Sequence, residues 1–358
     1  NGRDTDIYLL NPRQPKTDRL LAPVSGGGWQ VLDWSPDDAA LLLAEGLSIN
    51  ESRLHLCDVK AGSLKQLSPQ SVEKVAWSAG RFAKDGKSLF VTTDKDSEFQ
   101  RLCRFEVASG KLTPLIFQPA GDVESFDLSP DGRKLAFVTN EKGVGVLRVM
   151  DARSGRELLQ PKLPLGVIGG PKWHANSRDL AFNLSSAKSP NDAYSLDAKT
   201  SLVERWTESE CGGLNPENFV EPEFVRFKSF DGLEISAFLY RPDAKKFPGA
   251  RPVLVSIHGG PESQTRPGFQ ARNNYYLNEL GVALLYPNVR GSAGYGKTFL
   301  ALDNGFKRED TVRDIGALLD WLGRDARLDK NRVAVIGGSY GGYMSLATMT
   351  HYSDRLRC

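Results

Sequence analysis

A repeat of about 46 residues runs through the first two thirds of the chain, and it constrains the fold more than any other feature. One marker of the repeat is a polar turn that precedes a strand of apolar residues. A second marker, half a repeat later, is an apolar strand that ends in an acidic or amide residue before a small-residue turn. The turns begin at Ser35, Ala83, Ser129 and His174, and the strand ends are Asn11, Asp58, Glu106, Asp151 and Asp197. Two markers in one phase indicate the four-stranded blades of a β-propeller, whose repeat has this length.

The physics of a blade fits this interpretation. A single blade cannot bury both of its faces, so the repeats must stack around an axis. Because Pro fixes φ and Asp-Gly tolerates tight turns, we interpret the recurring Asp and Gly residues as turn chemistry rather than as ligands. We predict a partial propeller over residues 1–206 with about four complete blades. Since Asn11 has no partner turn before it, we expect the ring to begin before Asn1.

The repeat stops after Asp197, and the pattern of apolar and polar residues then changes. Residues 207–222 are polar and contain Pro and Gly, which predicts a linker. Asp231-Gly232 predicts a hairpin between two strands. From residue 223 to 358, apolar strands alternate with amphipathic helices, which indicates a parallel sheet covered on both faces. The predicted strands are 224–230, 233–240, 253–257, 282–287 and 333–336, and the predicted helices are 273–280, 311–322 and 340–349.

A candidate nucleophile lies where the last predicted strand meets the last predicted helix. Gly337-Gly338-Ser339-Tyr340-Gly341 is a G-x-S-x-G motif in the strand–turn–helix context that this motif requires. Gly337 and Gly341 have no side chains, so strand and helix can nearly touch at these positions. The hydroxyl of Ser339 then projects from the sheet edge. The N–H of Tyr340 would point toward a tetrahedral oxyanion. The fold class predicted is therefore a partial all-β propeller followed by α/β, here the N-terminal half of an α/β-hydrolase domain over residues 223–358.

A second candidate element is His258-Gly259-Gly260-Pro261, which follows the predicted strand 253–257. In this fold the loop after that strand supplies the other oxyanion donor, and glycines let its backbone approach the substrate. We predict the N–H of Gly260 as this donor. We interpret His258 as a residue that orients the loop rather than as a proton carrier.

Three motifs in this order after a propeller resemble the prolyl oligopeptidase family, and the acylaminoacyl-peptidase and dipeptidyl-peptidase branches are the most similar. The motifs are HGGP at 258–261, NVRGSAGYG at 288–296 and GGSYGGY at 337–343. The resemblance implies a Ser-Asp-His triad with Ser339 as nucleophile, an acyl-enzyme, and a propeller that admits only short peptides. Prolyl oligopeptidases and dipeptidyl peptidases have Tyr where His258 stands. The histidine therefore favours the acylaminoacyl-peptidase branch over strict proline specificity.

The resemblance also implies that the triad Asp and His follow the nucleophile, whereas the sequence ends at Cys358. His351 lies three turns along the helix from Ser339 and is a poor general base, so we expect these 358 residues alone to be inactive. Possible residues of the substrate site are His258, Arg290, Tyr295 and Glu262. Arg290 could pair with a peptide carboxylate or with Glu262, and a salt bridge that stabilises the loop is an equal alternative.

Composition excludes several other classes of function. The net charge of +2 is spread along the chain, which argues against nucleic-acid and membrane partners. The four cysteines are far apart and lack nearby histidines, which argues against a structural zinc site. We expect no metal and no cofactor. A cytoplasmic location is expected, with a periplasmic or secreted one as the alternative, and the sequence does not indicate an oligomeric state. A carboxylesterase on the same fold and a non-catalytic propeller that binds a partner remain alternatives to the peptidase.

Overall fold

The computed structural model describes residues 4–358. Two short strands, β1 (Ile7–Leu9) and β2 (Arg19–Ala22), pair with each other near the start of the chain. Four antiparallel sheets of four consecutive strands follow. Their strands are β3 (Trp29–Trp34), β4 (Ala40–Ser48), β5 (Glu51–Asp58) and β6 (Leu64–Gln66) in blade 1; β7 (Trp77–Phe82), β8 (Ser88–Thr93), β9 (Arg101–Glu106) and β10 (Leu112–Pro114) in blade 2; β11 (Asp122–Leu128), β12 (Lys134–Glu141), β13 (Val144–Asp151) and β14 (Glu157–Leu159) in blade 3; and β15 (Gly166–Trp173), β16 (Asp179–Ser186), β17 (Ser189–Asp197) and β18 (Val203–Arg205) in blade 4.

The turn residues that define the repeat form hydrogen bonds within their own turns. The hydroxyl of Ser35 donates to Asp37 and accepts from the N–H of Ala40, at 2.6 and 2.8 Å. Ser129 makes the same two bonds with Asp131 and the N–H of Lys134. In the second marker, Asp151 accepts from the N–H groups two and three residues later, as Asp58 and Asp197 do. These carboxylates close turns, as the sequence predicts.

Neighbouring blades are joined by apolar cores and by one recurring hydrogen bond. Leu42 and Leu54 of blade 1 pack in one buried cluster with Trp77 and Leu89 of blade 2. In addition, Asp33 accepts a 2.8 Å bond from the N–H of Phe82 in blade 2. The equivalent bond between blades 3 and 4 joins Asp127 to the N–H of Trp173 at 3.0 Å. Burial of one blade against the next therefore explains why the repeat period is kept.

The remainder of the chain forms one five-stranded sheet with helices. Its elements in chain order are β19 (Glu223–Lys228), β20 (Glu234–Tyr240), β21 (Arg251–Ile257), α1 (Asn273–Asn278), β22 (Ala283–Asn288), α2 (Lys297–Leu300), α3 (Arg308–Leu322), β23 (Leu328–Gly337) and α4 (Tyr340–His351). Short 3₁₀ turns lie at Pro216–Asn218, Ala301–Asp303, Gly305–Lys307 and Ser353–Arg355. The strand order is β19-β20-β22-β21-β23, and β21 pairs in parallel with both of its neighbours. The predicted fold class, a propeller followed by an α/β domain, is confirmed.

Some helices and strands differ from their predicted bounds: α1 ends at Asn278 rather than at residue 280, and β19 ends at Lys228 rather than at residue 230. The face of α3 that was predicted to be apolar is buried against the sheet at Val312, Ile315, Leu318 and Leu322. However, α3 begins at Arg308 and not at residue 311. β23 begins at Leu328 and not at residue 333, because its first residues are mostly charged or polar and lack an apolar strand pattern. Between β18 and β19, residues 206–222 contain only the 3₁₀ turn Pro216–Asn218. Within residues 4–358, no helix is long and apolar enough to cross a membrane.

Candidate active site

Ser339 occupies a sharp corner between β23 and α4. Its backbone has φ 56° and ψ −123°, a conformation that is strained for a residue with a side chain. The residue is exposed, and its hydroxyl makes no hydrogen bond with any residue from 4 to 358. A strained turn that leaves a hydroxyl free is the geometry that a nucleophile elbow requires.

Two glycines of the motif are required by close backbone contacts. A Cβ added to Gly337 would overlap the carbonyl group of Gly341, and a Cβ added to Gly341 would overlap the carbonyl oxygen of Ile257 at the end of β21. For Gly338, in contrast, no atom of residues 4–358 other than its chain neighbours lies within 4 Å of an added Cβ. The first and last glycines of G-x-S-x-G therefore let α4 leave directly over the sheet.

The His-Gly-Gly-Pro loop emerges beside this elbow. In the parallel pair of β21 and β23, Ile257 lies opposite Gly337, so the loop and the elbow leave the same edge of the sheet. A Cβ added to Gly259 would lie 3.3 Å from Cβ of Ser339 and 3.8 Å from its Oγ. Gly260 follows with φ +123°, a conformation that favours glycine. The loop glycines thus bring the backbone close to the hydroxyl of Ser339.

Two amide hydrogens near the serine have no acceptor. Neither the N–H of Gly260 nor that of Tyr340 donates a hydrogen bond to another residue in the described part of the chain. Tyr340 is the first residue of α4, where N–H groups lack helical partners and the helix dipole is positive. These two groups are available to an external anion.

His258 is held at both ring nitrogens. Nδ1 lies 2.8 Å from the carbonyl oxygen of Gly259, and Nε2 lies 2.8 Å from Oγ of Ser292. A carbonyl oxygen only accepts, so Nδ1 carries a proton. Burial lowers the pKa of His258. These contacts tie the loop to the 288–296 segment and leave no nitrogen free to exchange a proton with Ser339.

Tyr295 is engaged within the same 288–296 segment. Its hydroxyl oxygen accepts bonds from the hydroxyl of Ser236 at 2.7 Å and from the side-chain amide of Asn288 at 2.9 Å. Its ring packs 5.1 Å from that of Phe299, centroid to centroid. Burial raises the pKa of Tyr295, so its hydroxyl keeps its proton. These bonds hold the loop on β20 and β22.

Arg290 does not pair with Glu262, which was one of the partners that the sequence allowed. Arg290 is only 3% exposed, and its guanidinium bonds the buried carboxylate of Asp314 in α3 at 2.8 Å. It also bonds Asp231 of the β19–β20 turn at 3.1 Å. The alternative, a salt bridge that stabilises the loop, is what the structure shows. Glu262 is half-buried and, among residues 4–358, has no hydrogen-bond or ion-pair partner.

The comparisons with known proteins agree with these motifs. The sequence model of the N-terminal β-propeller domain of prolyl oligopeptidases matches residues 16–209, more than half of the chain. The model of the prolyl oligopeptidase family itself matches residues 267–358. This chain belongs to the prolyl oligopeptidase family.

Individual relatives share the family but are distant in sequence. A dipeptidyl aminopeptidase BIII of Pseudoxanthomonas mexicana is 27% identical over 292 residues, which is 78% of this chain and 42% of that protein. A prolyl endopeptidase of Elizabethkingia meningoseptica is 24% identical over 75% of this chain and 38% of its own length. The chain therefore spans about two fifths of the length of these relatives.

Solved structures of prolyl oligopeptidase relatives show the same fold. A prolyl endopeptidase structure superposes with a TM-score of 0.83 at 20% identity, over 97% of this chain and 51% of that one. A puromycin hydrolase superposes with a TM-score of 0.81 at 22% identity, over 93% and 52%. The chain thus covers about half of each of these structures.

The remaining histidines of this family member are not placed to assist Ser339. His55 lies in β5 and bonds Glu45, and His174 lies in the turn that precedes β16. His351 ends α4, where its ring faces Glu309 at 3.7 Å. No histidine within residues 4–358 bonds the hydroxyl of Ser339.

Sequence reasoning missed two groups of residues that support the site. Propeller residues Glu124 and Asn140 hold the segment after Gly260, through Arg266 and Gln264. The buried carboxylate of Asp303 accepts a hydrogen bond from the side chain of Tyr340. No local pattern marks these residues, because each contact joins segments that are far apart in the sequence.

Proposed function

We propose that this chain carries the nucleophile and the oxyanion hole of a serine peptidase that cleaves short peptides through an acyl-enzyme. The observation that carries the proposal is the exposed hydroxyl of Ser339 on a strained corner, beside two amide hydrogens without acceptors. The assignments of Gly260 and Tyr340 as donors remain predictions.

In the proposed reaction, Oγ of Ser339 forms a bond to the carbonyl carbon of the scissile peptide as the hydroxyl proton passes to the histidine of the triad. The carbonyl oxygen takes the negative charge and accepts hydrogen bonds from the N–H groups of Gly260 and Tyr340. Collapse of this intermediate breaks the C–N bond, and the histidine returns the proton to the amine. Water then repeats the sequence and releases the acyl group from Ser339.

Support for a peptide substrate comes from the relatives and from the domain order. The relatives include proteins named prolyl endopeptidase and dipeptidyl aminopeptidase, and one solved neighbour is a puromycin hydrolase complexed with PGG. The propeller contacts Gln264 and Arg266, which lie in the loop that carries Gly260. A propeller in this position admits short, flexible chains more readily than folded proteins.

A fluorophosphonate probe tests the nucleophile in the protein expressed at full length. Labelling and hydrolysis of chromogenic peptides are expected for the wild type and are expected to disappear in Ser339→Ala. Ser353→Ala, which removes an exposed hydroxyl just beyond α4, is the matched control and is expected to keep both activities. Hydrolysis of esters without hydrolysis of peptides would favour a carboxylesterase, and a wild type that is neither labelled nor active would favour a propeller that only binds a partner.

A further inference from the structure

A buried carboxylate lies behind the proposed oxyanion hole. Asp303 is fully buried, and its Oδ2 accepts a 2.9 Å hydrogen bond from the hydroxyl of Tyr340, whose side chain is only 7% exposed. Its other oxygen, Oδ1, is buried and has no hydrogen-bond partner among residues 4–358. The nearest cation is Arg308, whose Nε lies 3.9 Å from Oδ2. The hydrogen bond from Tyr340 is therefore the main contact that holds this carboxylate.

A buried carboxylate with so few partners is costly to keep. Burial raises the pKa of Asp303, against the hydrogen bond from Tyr340. A neutral side chain at position 303 would avoid the cost of burying a charge. The charge-assisted bond that the carboxylate can form with Tyr340 is stronger than a neutral one and fixes the tyrosine ring more firmly.

The position of Tyr340 makes this bond relevant to catalysis. Tyr340 immediately follows Ser339, which is held in a strained conformation. Such strain persists only when the surroundings fix the backbone on both sides. Before the serine, Gly337 is fixed by its contact with Gly341. After the serine, the ring of Tyr340 is held at its far end by the hydrogen bond to Asp303.

The 288–296 motif explains how Asp303 itself is held. A Cβ added to Gly291 would lie only 2.6 Å from Cγ of Asp303, so this glycine makes room for the carboxyl group. The N–H of Gly291 donates to the carbonyl oxygen of Phe299 in α2, which leads directly into the turn that ends at Asp303. The loop therefore packs directly against the carboxyl group of Asp303.

We propose that Asp303 is a positioning residue for the oxyanion hole, acting through the side chain of Tyr340 on the amide hydrogen that follows the nucleophile. This inference rests on the proposed function. In the full-length enzyme, Asp303→Asn and Tyr340→Phe each lower kcat about tenfold per labelled serine and leave KM nearly unchanged, which is less than the 10²–10³-fold loss of a whole donor. The double variant loses no more than the more affected single variant, because both changes break the same link.

Tyr343→Phe is the matched control, since it removes a tyrosine hydroxyl one turn along α4. That hydroxyl lies 3.3 Å from the exposed Glu309, and its loss is expected to change kcat less than twofold. Unchanged kcat in Asp303→Asn, or equal losses in Tyr340→Phe and Tyr343→Phe, would overturn the proposal.

A second measurement decides the inference without any activity. In protein labelled with ¹⁵N-tyrosine, the amide resonance of Tyr340 is expected to shift in Asp303→Asn and to stay in place in a variant at the exposed Glu309, Glu309→Gln. A resonance that does not move in Asp303→Asn overturns the positioning role even if the enzyme is active. Absence of Ser339-dependent hydrolysis in the wild type, with the resonance shifted, would instead refute only the peptidase proposal.

Discussion

Arg266 and Glu124 form an ion pair between the α/β domain and the propeller: Nη1 of the arginine lies 2.8 Å from Oε1 and 2.9 Å from Oε2 of the glutamate. Nε of the same arginine donates to the carbonyl oxygen of Gly143, in the turn between β12 and β13. Beside it, the side-chain amide of Asn140 donates to Gln264 at 2.7 Å. Blade 3 thus holds the segment that follows Gly260.

Replacement of the Glu124 carboxylate is expected to weaken the contact between the propeller and the α/β domain. Glu124→Gln leaves Arg266 without a charged partner, so we expect the free energy of unfolding in urea to fall by about 1–2 kcal/mol. The control is Glu157→Gln, whose carboxylate contacts Arg148 at 3.3 Å within one blade and is 51% exposed. Its loss is expected to cost less than about 0.5 kcal/mol. Equal effects of the two changes would contradict a special role for the contact between domains.

The two glycines that flank Tyr340 and Ser339 in the motif are expected to differ sharply in tolerance. Gly341→Ala places a methyl group on the carbonyl oxygen of Ile257, so the elbow must open, and we expect a loss of stability of at least about 2 kcal/mol together with loss of serine labelling. Gly338→Ala meets open space and is expected to lower the melting temperature only slightly. A melting temperature that falls as far in Gly338→Ala as in Gly341→Ala would show that the close approach of helix and sheet is not the reason for the glycine.

The pair of Arg290 and Asp314 is expected to behave as a buried ion pair. Arg290→Met leaves the carboxylate of Asp314 buried without its cation, and we expect a loss of about 3–5 kcal/mol in the free energy of unfolding. Arg327→Met removes an arginine that is 64% exposed and is expected to cost less than about 1 kcal/mol. Chemical denaturation of both variants checks this difference, and a small cost at Arg290 would mean that water reaches Asp314.

The stability of the propeller is expected to depend on pH through Asp122 in β11. Burial, with Glu124 and Asp94 nearby, raises its pKa from 3.8 to about 6. The folded protein binds the proton of the Asp122 carboxyl more tightly than the unfolded chain does. The contribution of protonated Asp122 to the stability of the folded protein is therefore present below pH 3.8 and is lost as the pH rises through 6. Asp122→Asn keeps an oxygen that can accept from the N–H of Gln100 and removes the charge. We therefore expect it to be more stable than the wild type at pH 8, by up to about 2–3 kcal/mol, and equally stable at pH 4.

Asp37 provides a control of opposite sign for this experiment. The hydrogen bond from the hydroxyl of Ser35 lowers the pKa of Asp37, so its charged form stabilises the folded protein at neutral pH. Asp37→Asn is expected to destabilise the protein at pH 8, and the difference should shrink as the pH falls below 4. Thermal unfolding of both variants across this range measures the effect. A gain at pH 8 from both changes would refute the assignment to Asp122.

The blades were predictable because their information is local. Each turn carboxylate bonds to groups within three residues of itself, so the same few letters recur wherever the same turn is built. The elbow was predictable for the same reason, since Ser339 and its two glycines lie within five consecutive positions. The start of β23 was not predictable, because it contains Asp329, Lys330 and Asn331. These polar residues lie at the edge of the sheet and lack the apolar pattern from which strands are predicted.

The roles of charged loop residues were much harder to predict. Nothing near Arg290 in the sequence distinguishes a partner such as Glu262 from Asp314, which lies 24 residues away. The same limit hid Asp303, which reaches Tyr340 across 37 residues. A charged loop side chain has many possible partners of opposite charge, and which pair forms depends on which groups are buried together in the fold.

The sequence alone determined the repeat, the blades, the α/β domain and the serine at its strand-to-helix corner, because hydrophobic period and turn chemistry are properties of neighbouring residues. Tertiary structure alone decided which groups support that corner. Glu124 meets Arg266 across 142 residues, and His258 meets Ser292 across 34. Such contacts form only after separate segments have packed, since each depends on the burial and orientation that the whole fold supplies.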